Sequence, residues 1–267
     1  MIFARDKGRM CNNLLQYGHV YAWGREHGRR TMSMRFAYKY PYFHICDTRY
    51  HNFATYLFAK YGSKLRLIPT VAFSTEDADT TELERRMEQS RLIVAEGWYA
   101  RWYDLFLKYK GEIIRLFDFK PKVKELAVRT LKEHGGACNL GVHIRRGDYR
   151  TWMGGRFFYS DEQYIGVIRQ FCRLHSGTAV FICGNDPELD EEKYRSELGG
   201  RVCFAKGNPG EDLCLLSECD YLVGAPSTFT LTASMYHDTP LYWIEDPAAE
   251  LTEESFGHFD QLFRHIK

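Results

Sequence analysis

The chain has 267 residues, 45% of them hydrophobic, enough for one large domain or two small ones around packed cores. Lys and Arg number 36 against 35 Asp and Glu, a net charge of +1, which excludes a general polyanion binder and makes any positive site local. No apolar run reaches the ~18 residues of a membrane span, and the N-terminal MIFARDKGRM lacks the apolar core of a signal peptide. The eight cysteines form no CxxC pair and no zinc spacing, so a reducing compartment is expected: a soluble, cytoplasmic protein with no nucleic-acid partner.

Residues 2–5 read as a strand, DKGRMCNN as a loop, and residues 14–27 as a helix with apolar residues near helical spacing and Gly28 past its end. Residues 31–36 form a second strand, completing a βαβ opening. The aromatic stretch 38–63 reads as mixed loop and short helix. Thr81 and Glu84 make a capping-box pattern that starts a helix, and RLIVAEG beyond it suits a strand. ARWYDLFLKYKGEIIRLF is amphipathic and helical. Pro121 opens a helix that Gly135 and Gly136 end. From Leu140 the alternation is strict. The strands NLGVHI, 179–183, RVCFA, DYLVGA and PLYWIE are separated by helices over 160–175, within GNDPELDEEKYRSEL, over 210–219 and over PSTFTLTASMYHD. That pattern is a parallel doubly wound sheet. The Gly135–Gly136 break predicts two α/β domains, 1–135 and 136–267, with a crevice between them.

Ligands of such sheets lie outside the carboxyl ends of the strands, and three polar clusters fall there in the second half. In LGVHIRRGDYRTW a strand runs into His143, Arg145, Arg146 and Asp148. Adjacent guanidiniums at the mouth of a buried strand are costly unless paired. An ion pair of Arg146 with Asp148 accounts for one arginine; for the other, the planar fork fits phosphate oxygens. The second cluster, CGNDPE, holds Asn185 and Asp186, residue types equally suited to a turn before Pro187. The third, GAPSTFT, places Ser227 and Thr228 at a helix start, either as an ordinary N-cap or as part of a phosphate cradle. Asp212 has the same ambiguity as an acid in the first turn of a helix. The DAD run at Asp77 and Asp79 has no strand leading into it, so no metal site is expected. Arginine and helix N–H groups would then neutralise a nucleoside diphosphate.

HIRRGD matches the His-x-Arg-Arg-x-Asp motif shared by α1,2- and α1,6-fucosyltransferases and resembles the looser form in protein O-fucosyltransferases. GRMCNNLLQYGHVYAWGREHG is similar to that family's N-terminal Gly-rich loop and helix. EGWYARWYDLF resembles the mid-chain Gly-Tyr-Trp segment of bacterial α1,2 enzymes, and LSECDYLVGAPSTFTLTASMY their late strand, Ser-Ser-Phe turn and helix. Order and approximate spacing hold from Gly8 to Tyr236. Cys11 stands where the family usually has glycine, Asn13 where it has glutamine, and Thr230, Leu231 and Thr232 replace a tryptophan-rich run; these departures bear on the acceptor and the linkage.

The resemblance implies a GT-B-like α/β fold, two Rossmann-like domains facing across a crevice, the first for the acceptor and the second for the donor. It implies an inverting, metal-independent transfer of L-fucose from GDP-fucose to a glycan hydroxyl, α1,2-linked, without a cofactor, in a bacterial cytoplasm and with peripheral membrane contact left open. By the same resemblance Arg145 grips the β-phosphate, His143 shapes the guanosine pocket, and Ser227 and Thr228 hold the diphosphate. Asp186 and Asp212 are candidates for the base or ribose, and Gly8, Arg9 and Asn12 close over the donor from the first domain. An acceptor hydroxyl needs a proton sink, for which Asp148 is the candidate. Another GDP-sugar, a protein acceptor, or a non-catalytic nucleotide- or glycan-binding module are the competing readings.

Overall fold

The computed structural model describes residues 1–5, 7–76, 79–184, 186–199 and 201–266; Asp77 and Asn185, named above, lie outside the described residues. Contacts divide the chain into two units, Met1–Lys120 and Pro121–Lys267.

The first unit is built on four parallel strands, β1 (Ile2–Arg5), β2 (Thr31–Ser33), β3 (Thr70–Ala72) and β4 (Ile93–Glu96), in the order β2-β1-β4-β3. The central pair is apolar along its length, with Ile2, Phe3, Ala4, Ile93, Val94 and Ala95 all buried, as a parallel sheet covered on both faces requires. Helix α1 (Met10–Glu26) begins at Met10 rather than at residue 14. Arg9 occupies its N-cap position without a side-chain cap, so the usual Ser/Thr/Asp/Asn signal is missing. The preceding loop is instead latched from inside the helix. Gln16 Nε2 donates to the carbonyls of Lys7 (2.7 Å) and Asn12 (3.1 Å), and Asn13 Nδ2 to that of Gly8 (3.3 Å).

Strand β2 stops at Ser33, where the chain turns and Ser33 Oγ accepts the Phe36 N–H at 3.2 Å. The aromatic stretch contains a 3-10 turn, His44–Asp47, and a twelve-residue helix α2 (Phe53–Lys64), capped by Asn52. Strand β3, only three residues long, carries too little alternation to be read from sequence. Helix α3 (Thr81–Gln89) forms without the expected Thr81–Glu84 box. Its N-cap is Thr80, the Thr81 N–H is taken by Asp79, and the Glu84 carboxylate accepts the indole N–H groups of Trp23 and Trp102, both at 3.0 Å. The long amphipathic run is two helices, α4 (Tyr103–Lys108) and α5 (Lys110–Leu116).

The second unit begins with α6 (Pro121–His134), which packs on α9 (Pro209–Ser217). For this reason the division falls at Pro121 rather than at the Gly135–Gly136 break. Five parallel strands follow: β5 (Cys138–Ile144), β6 (Thr178–Gly184), β7 (Val202–Phe204), β8 (Tyr221–Gly224) and β9 (Leu241–Trp243), in the order β7-β6-β5-β8-β9. Helices α7 (Asp161–Leu174), α8 (Glu191–Leu198), α9 and α10 (Thr228–His237) alternate with them as the sequence predicts. Leu140, Val142, Ile144, Val180, Ile182 and Val223 form the centre of its core. All eight cysteines are free thiols. Among the described residues no helix is long and apolar enough to cross a membrane.

Candidate active site

Strand β5 is the middle strand of the second sheet, with β6 on one side and β8 on the other. Strand order reverses between β5 and β8, and the space outside the carboxyl ends at such a reversal is where open α/β sheets take ligands. Two of the three predicted polar clusters emerge there. The register sets His143 opposite Gly224 on β8 and opposite Cys183 on β6. Gly224 permits this approach: a Cβ there would lie 2.9 Å from the His143 carbonyl oxygen. The His143 ring is buried and stacks on Phe229, with centroids 4.5 Å apart and planes at 19°. Phe229 falls in the segment that resembles the family's Ser-Ser-Phe turn, but the sequence alone assigned it no role.

The two arginines have separate jobs. Arg146 is buried; its Nε donates to the Tyr159 carbonyl (2.9 Å), Nη1 to Asp186 Oδ2 (3.0 Å) and Nη2 to Asp161. It therefore ties the end of β5 to the start of α7 and to the turn after β6. Asp148 lies against Arg145, with Nη2 to Oδ1 at 2.9 Å. Asp186 is engaged twice by the protein, since its other oxygen accepts the Glu188 N–H at 3.0 Å. Arg145 faces the ring of Tyr149 at 5.1 Å. Its Nε is buried and has no hydrogen-bond partner among the described residues. Of the pair, Arg145 is the guanidinium with donors to offer.

Ser227 is the N-cap of α10, its Oγ accepting the Thr230 N–H at 3.3 Å. The hydroxyl is thus engaged in capping the first turn of α10, which begins at Thr228. Tyr149 donates to the Pro226 carbonyl at 2.5 Å and so joins the two loops. Asp212 stands in the first turn of α9, and the Cys183 thiol reaches its carbonyl at 3.9 Å. Its Oδ1 is buried, with no hydrogen-bond partner among the described residues. Burial, and then the neighbouring Glu211 charge, push its carboxyl up to about 6 against the opposing pull of the Gly207 N–H.

In the first unit, Gly8 has φ +90°, and a Cβ would lie 2.6 Å from Asn12 Nδ2, so the turn into α1 requires glycine. Arg9 beside it is exposed and Asn12 half-buried. At the carboxyl ends of β1 and β4 a small pocket is lined by Arg5, Gln16, Glu96, Gly97 and Ala100. Next to Ala100, Arg101 stacks over the Trp98 ring at 3.9 Å. Its Nη2 is buried without a partner among the described residues, and burial holds its pKa below the usual arginine value. His19, fully buried, accepts the Trp102 N–H through Nδ1 at 3.1 Å and is pushed well below the ordinary histidine range by burial and then by Arg101. Arg101 was also missed in the sequence; the only signal was a lone cation within the aromatic run WYARWY.

Residues 102–239, just over half of the chain, match glycosyl transferase family 11. The chain belongs to that family. The family 11 span contains β5 to α10, and so the whole strand reversal with Arg145, Asp212 and Ser227; the Gly8 turn and Arg101 lie outside it. Similar curated relatives include galactoside alpha-(1,2)-fucosyltransferase 2 of Sus scrofa, 26% identical over 85% of this chain and 67% of the relative. Another is galactoside 2-alpha-L-fucosyltransferase Sec1 of Mus musculus, 26% identical over 88% of this chain and 64% of the relative. The chain thus spans about two thirds of the length of these relatives. Among solved structures, an Arabidopsis thaliana FUT1 mutant in complex with GDP superposes with a TM-score of 0.64 at 12% identity, covering 96% of this chain and 73% of that one. NodZ alpha-1,6-fucosyltransferase soaked with GDP-fucose gives 0.54 at 15% identity, covering 96% of each. The likeness is one of fold, and the fold is GT-B.

Proposed function

We propose that this family 11 chain transfers L-fucose from GDP-fucose to a hydroxyl of a glycan acceptor, inverting the anomeric carbon, forming an α1,2 linkage and using no metal ion. The observation that carries the reading is Arg145, a guanidinium with a buried, unpartnered Nε at the strand reversal where α10 begins. As the bond from the anomeric carbon to the β-phosphate breaks, its electron pair goes to the departing GDP. A fixed guanidinium fork and helix N–H groups stabilise such charge where it develops. Asp212 supports a guanine: its buried carboxylate is an acceptor that suits the N1–H and N2–H₂ donors of that base, and the His143–Phe229 stack offers a flat wall. Asp148 is assigned as the proton acceptor for the attacking hydroxyl, and its half-exposed pairing with Arg145 can give way to phosphate. Asp186 becomes a positioning residue that orients Arg146. Gly8, Arg9 and Asn12 are assigned to the sugar and diphosphate on the resemblance of their loop, and Arg101 to the acceptor. The relatives' names favour a galactoside acceptor and the α1,2 linkage. Eight free thiols favour a reducing compartment such as a bacterial cytoplasm.

The test is incubation with labelled GDP-fucose and an acceptor array, with excess EDTA in one arm, followed by linkage analysis. Fucosylated galactosides should form in both arms. GDP binding with neither transfer nor donor hydrolysis would reduce the chain to a binding module, and loss of transfer in EDTA that magnesium or manganese restores would overturn the metal-free site.

A further inference from the structure

Helix α2 is amphipathic in the reverse sense. At 3.6 residues per turn, Phe53, Leu57, Phe58, Tyr61 and Leu65 share one side, with Lys60 at its edge and Lys64 between Phe53 and Leu57. The opposite side carries Thr55, Ala59, Gly62 and Ser63, and this small, polar side packs inward. Ala59 is fully buried, Ser63 Oγ accepts from Arg5 Nη2 at 2.5 Å, and Gly62 lies so close to Ile68 that a Cβ would sit 2.7 Å from its Cδ1. The apolar side faces out: Phe53 is 57% exposed, Phe58 55%, Tyr61 50%, Leu65 66%, and Leu67 just beyond the helix 78%. A soluble surface helix places these faces the other way round, and contiguous exposed apolar surface marks an interaction site.

The charge around this face is one-sided. Residues 34–68 carry Arg35, Lys39, Arg49, Lys60, Lys64 and Arg66 against a single acid, Asp47, in a chain whose net charge is only +1. Asp47 is itself paired with Lys120 at 2.7 Å. Cations and rings share one surface: Tyr38 lies 4.4 Å from Tyr56, Phe53 5.7 Å from Tyr56, and Lys60 Nζ sits over the rings of Tyr56 (5.5 Å) and Tyr61 (5.6 Å). A second copy of the chain, docking face to face, would bring the same cations together. The complement must be negative and apolar at once. A convex helix face of Phe, Tyr and Leu with lysines at and near one edge is the composition that lies at the boundary between headgroups and acyl chains.

We propose that α2 and the turn after it dock the first unit on an anionic bilayer surface, with the helix in the membrane plane and Phe53, Phe58, Tyr61 and Leu65 below the headgroups. The inference stands apart from the donor chemistry, because none of these residues belongs to the candidate active site. The full chain should co-sediment with vesicles of phosphatidylcholine mixed with phosphatidylglycerol, should not do so with phosphatidylcholine alone, and should be released by salt. Lys60→Gln and Lys64→Gln should each weaken partitioning about fivefold. Phe58→Ser combined with Leu65→Ser should weaken it by about tenfold or more, with GDP binding kept as the sign of an intact fold. Absence of vesicle binding, or binding indifferent to the apolar substitutions, overturns the proposal. So does equal retention on polyglutamate, which would leave only a charge patch. A dimer in sedimentation equilibrium that Phe58→Ser and Leu65→Ser dissolve would assign the face to a second copy instead.

Discussion

Arg145 and Arg146 are neighbours in sequence, yet their substitution should give opposite results. Arg145→Ala should lower turnover by about 10²–10³, the range for losing a donor at a developing charge. Arg145→Lys should not restore it, because a point charge cannot reproduce the fork. Thermal stability should hardly move in either variant, since the ion pair lost among the described residues is to the half-exposed Asp148. Arg146→Ala should instead unfold the chain at lower urea, by about 3–5 kcal/mol, because it leaves Asp161 and Asp186 uncompensated. Near-wild-type turnover in Arg145→Lys would remove the phosphate role. Asp212 gives a pH signature. Its folded pKa of about 6 stands above the ordinary 3.8, so the folded chain favours the neutral acid. That contribution to stability is complete below pH 3.8 and is lost as pH rises through 6. Asp212→Asn should therefore stabilise the ligand-free protein above pH 6, by up to about 3 kcal/mol. It should also weaken GDP binding. In the wild type, GDP affinity should fall as pH drops through 6, and calorimetric titration of Asp212→Asn should lack that inflection.

Gly8 and Gly28 separate two costs at the level of the elements that flank α1. Both have positive φ, +90° and +62°, but a Cβ at Gly28 meets nothing within 4 Å while one at Gly8 collides with Asn12. Gly28→Ala should cost about 1 kcal/mol from backbone strain alone. Gly8→Ala should cost clearly more in chemical denaturation, and equal losses would show that the turn yields freely. The same helix marks the border of what the sequence discloses. The second sheet was legible strand by strand because each apolar run is bounded by glycine, proline or a capping residue, as Ser160 and Asn208 confirm with their capping boxes. The start of α1 was not legible, because Gln16 and Asn13 hold the loop from within the helix rather than from a capping position. Glu84 looked like a cap because its spacing fits one, and only the fold brings Trp23 and Trp102 to it. In the candidate site, the charge at the end of β5 was visible in two adjacent letters. Which arginine is engaged was not, since Asp161 and Asp186 reach Arg146 from 15 and 40 residues away.

The whole molecule carries a built-in sensitivity to acid, located in its first unit. His51 is buried, its Nε2 accepting the Ser33 N–H at 3.0 Å, and burial holds its pKa down at about 4. The unfolded chain takes that proton first, near 6.5, so the stability present above pH 6.5 is lost as pH falls towards 4, up to about 3 kcal/mol from this residue. His19 acts in the same direction. Asp212 opposes them as pH falls from 6 to 3.8, but from the second unit. Calorimetry should show the melting temperature falling between pH 6.5 and 4, with a shallower decline in His51→Gln, whose amide oxygen can still accept from Ser33. A flat profile in the wild type would mean that the first unit opens to water around His51 before it melts.

The strand order β7-β6-β5-β8-β9 also fixes when the proposed nucleotide site can first form. During synthesis β5, β6 and β7 leave the ribosome before β8 and β9 and can pair as one half of the second sheet. The reversal does not exist until β8 appears, and α10 appears later still. A nascent chain that ends at Asp220 already carries Arg145, but nothing stands on the other side of it. A nucleotide that binds at the reversal can therefore recognise only a chain whose translation has passed α10, and by mass action it stabilises that chain and none of its precursors.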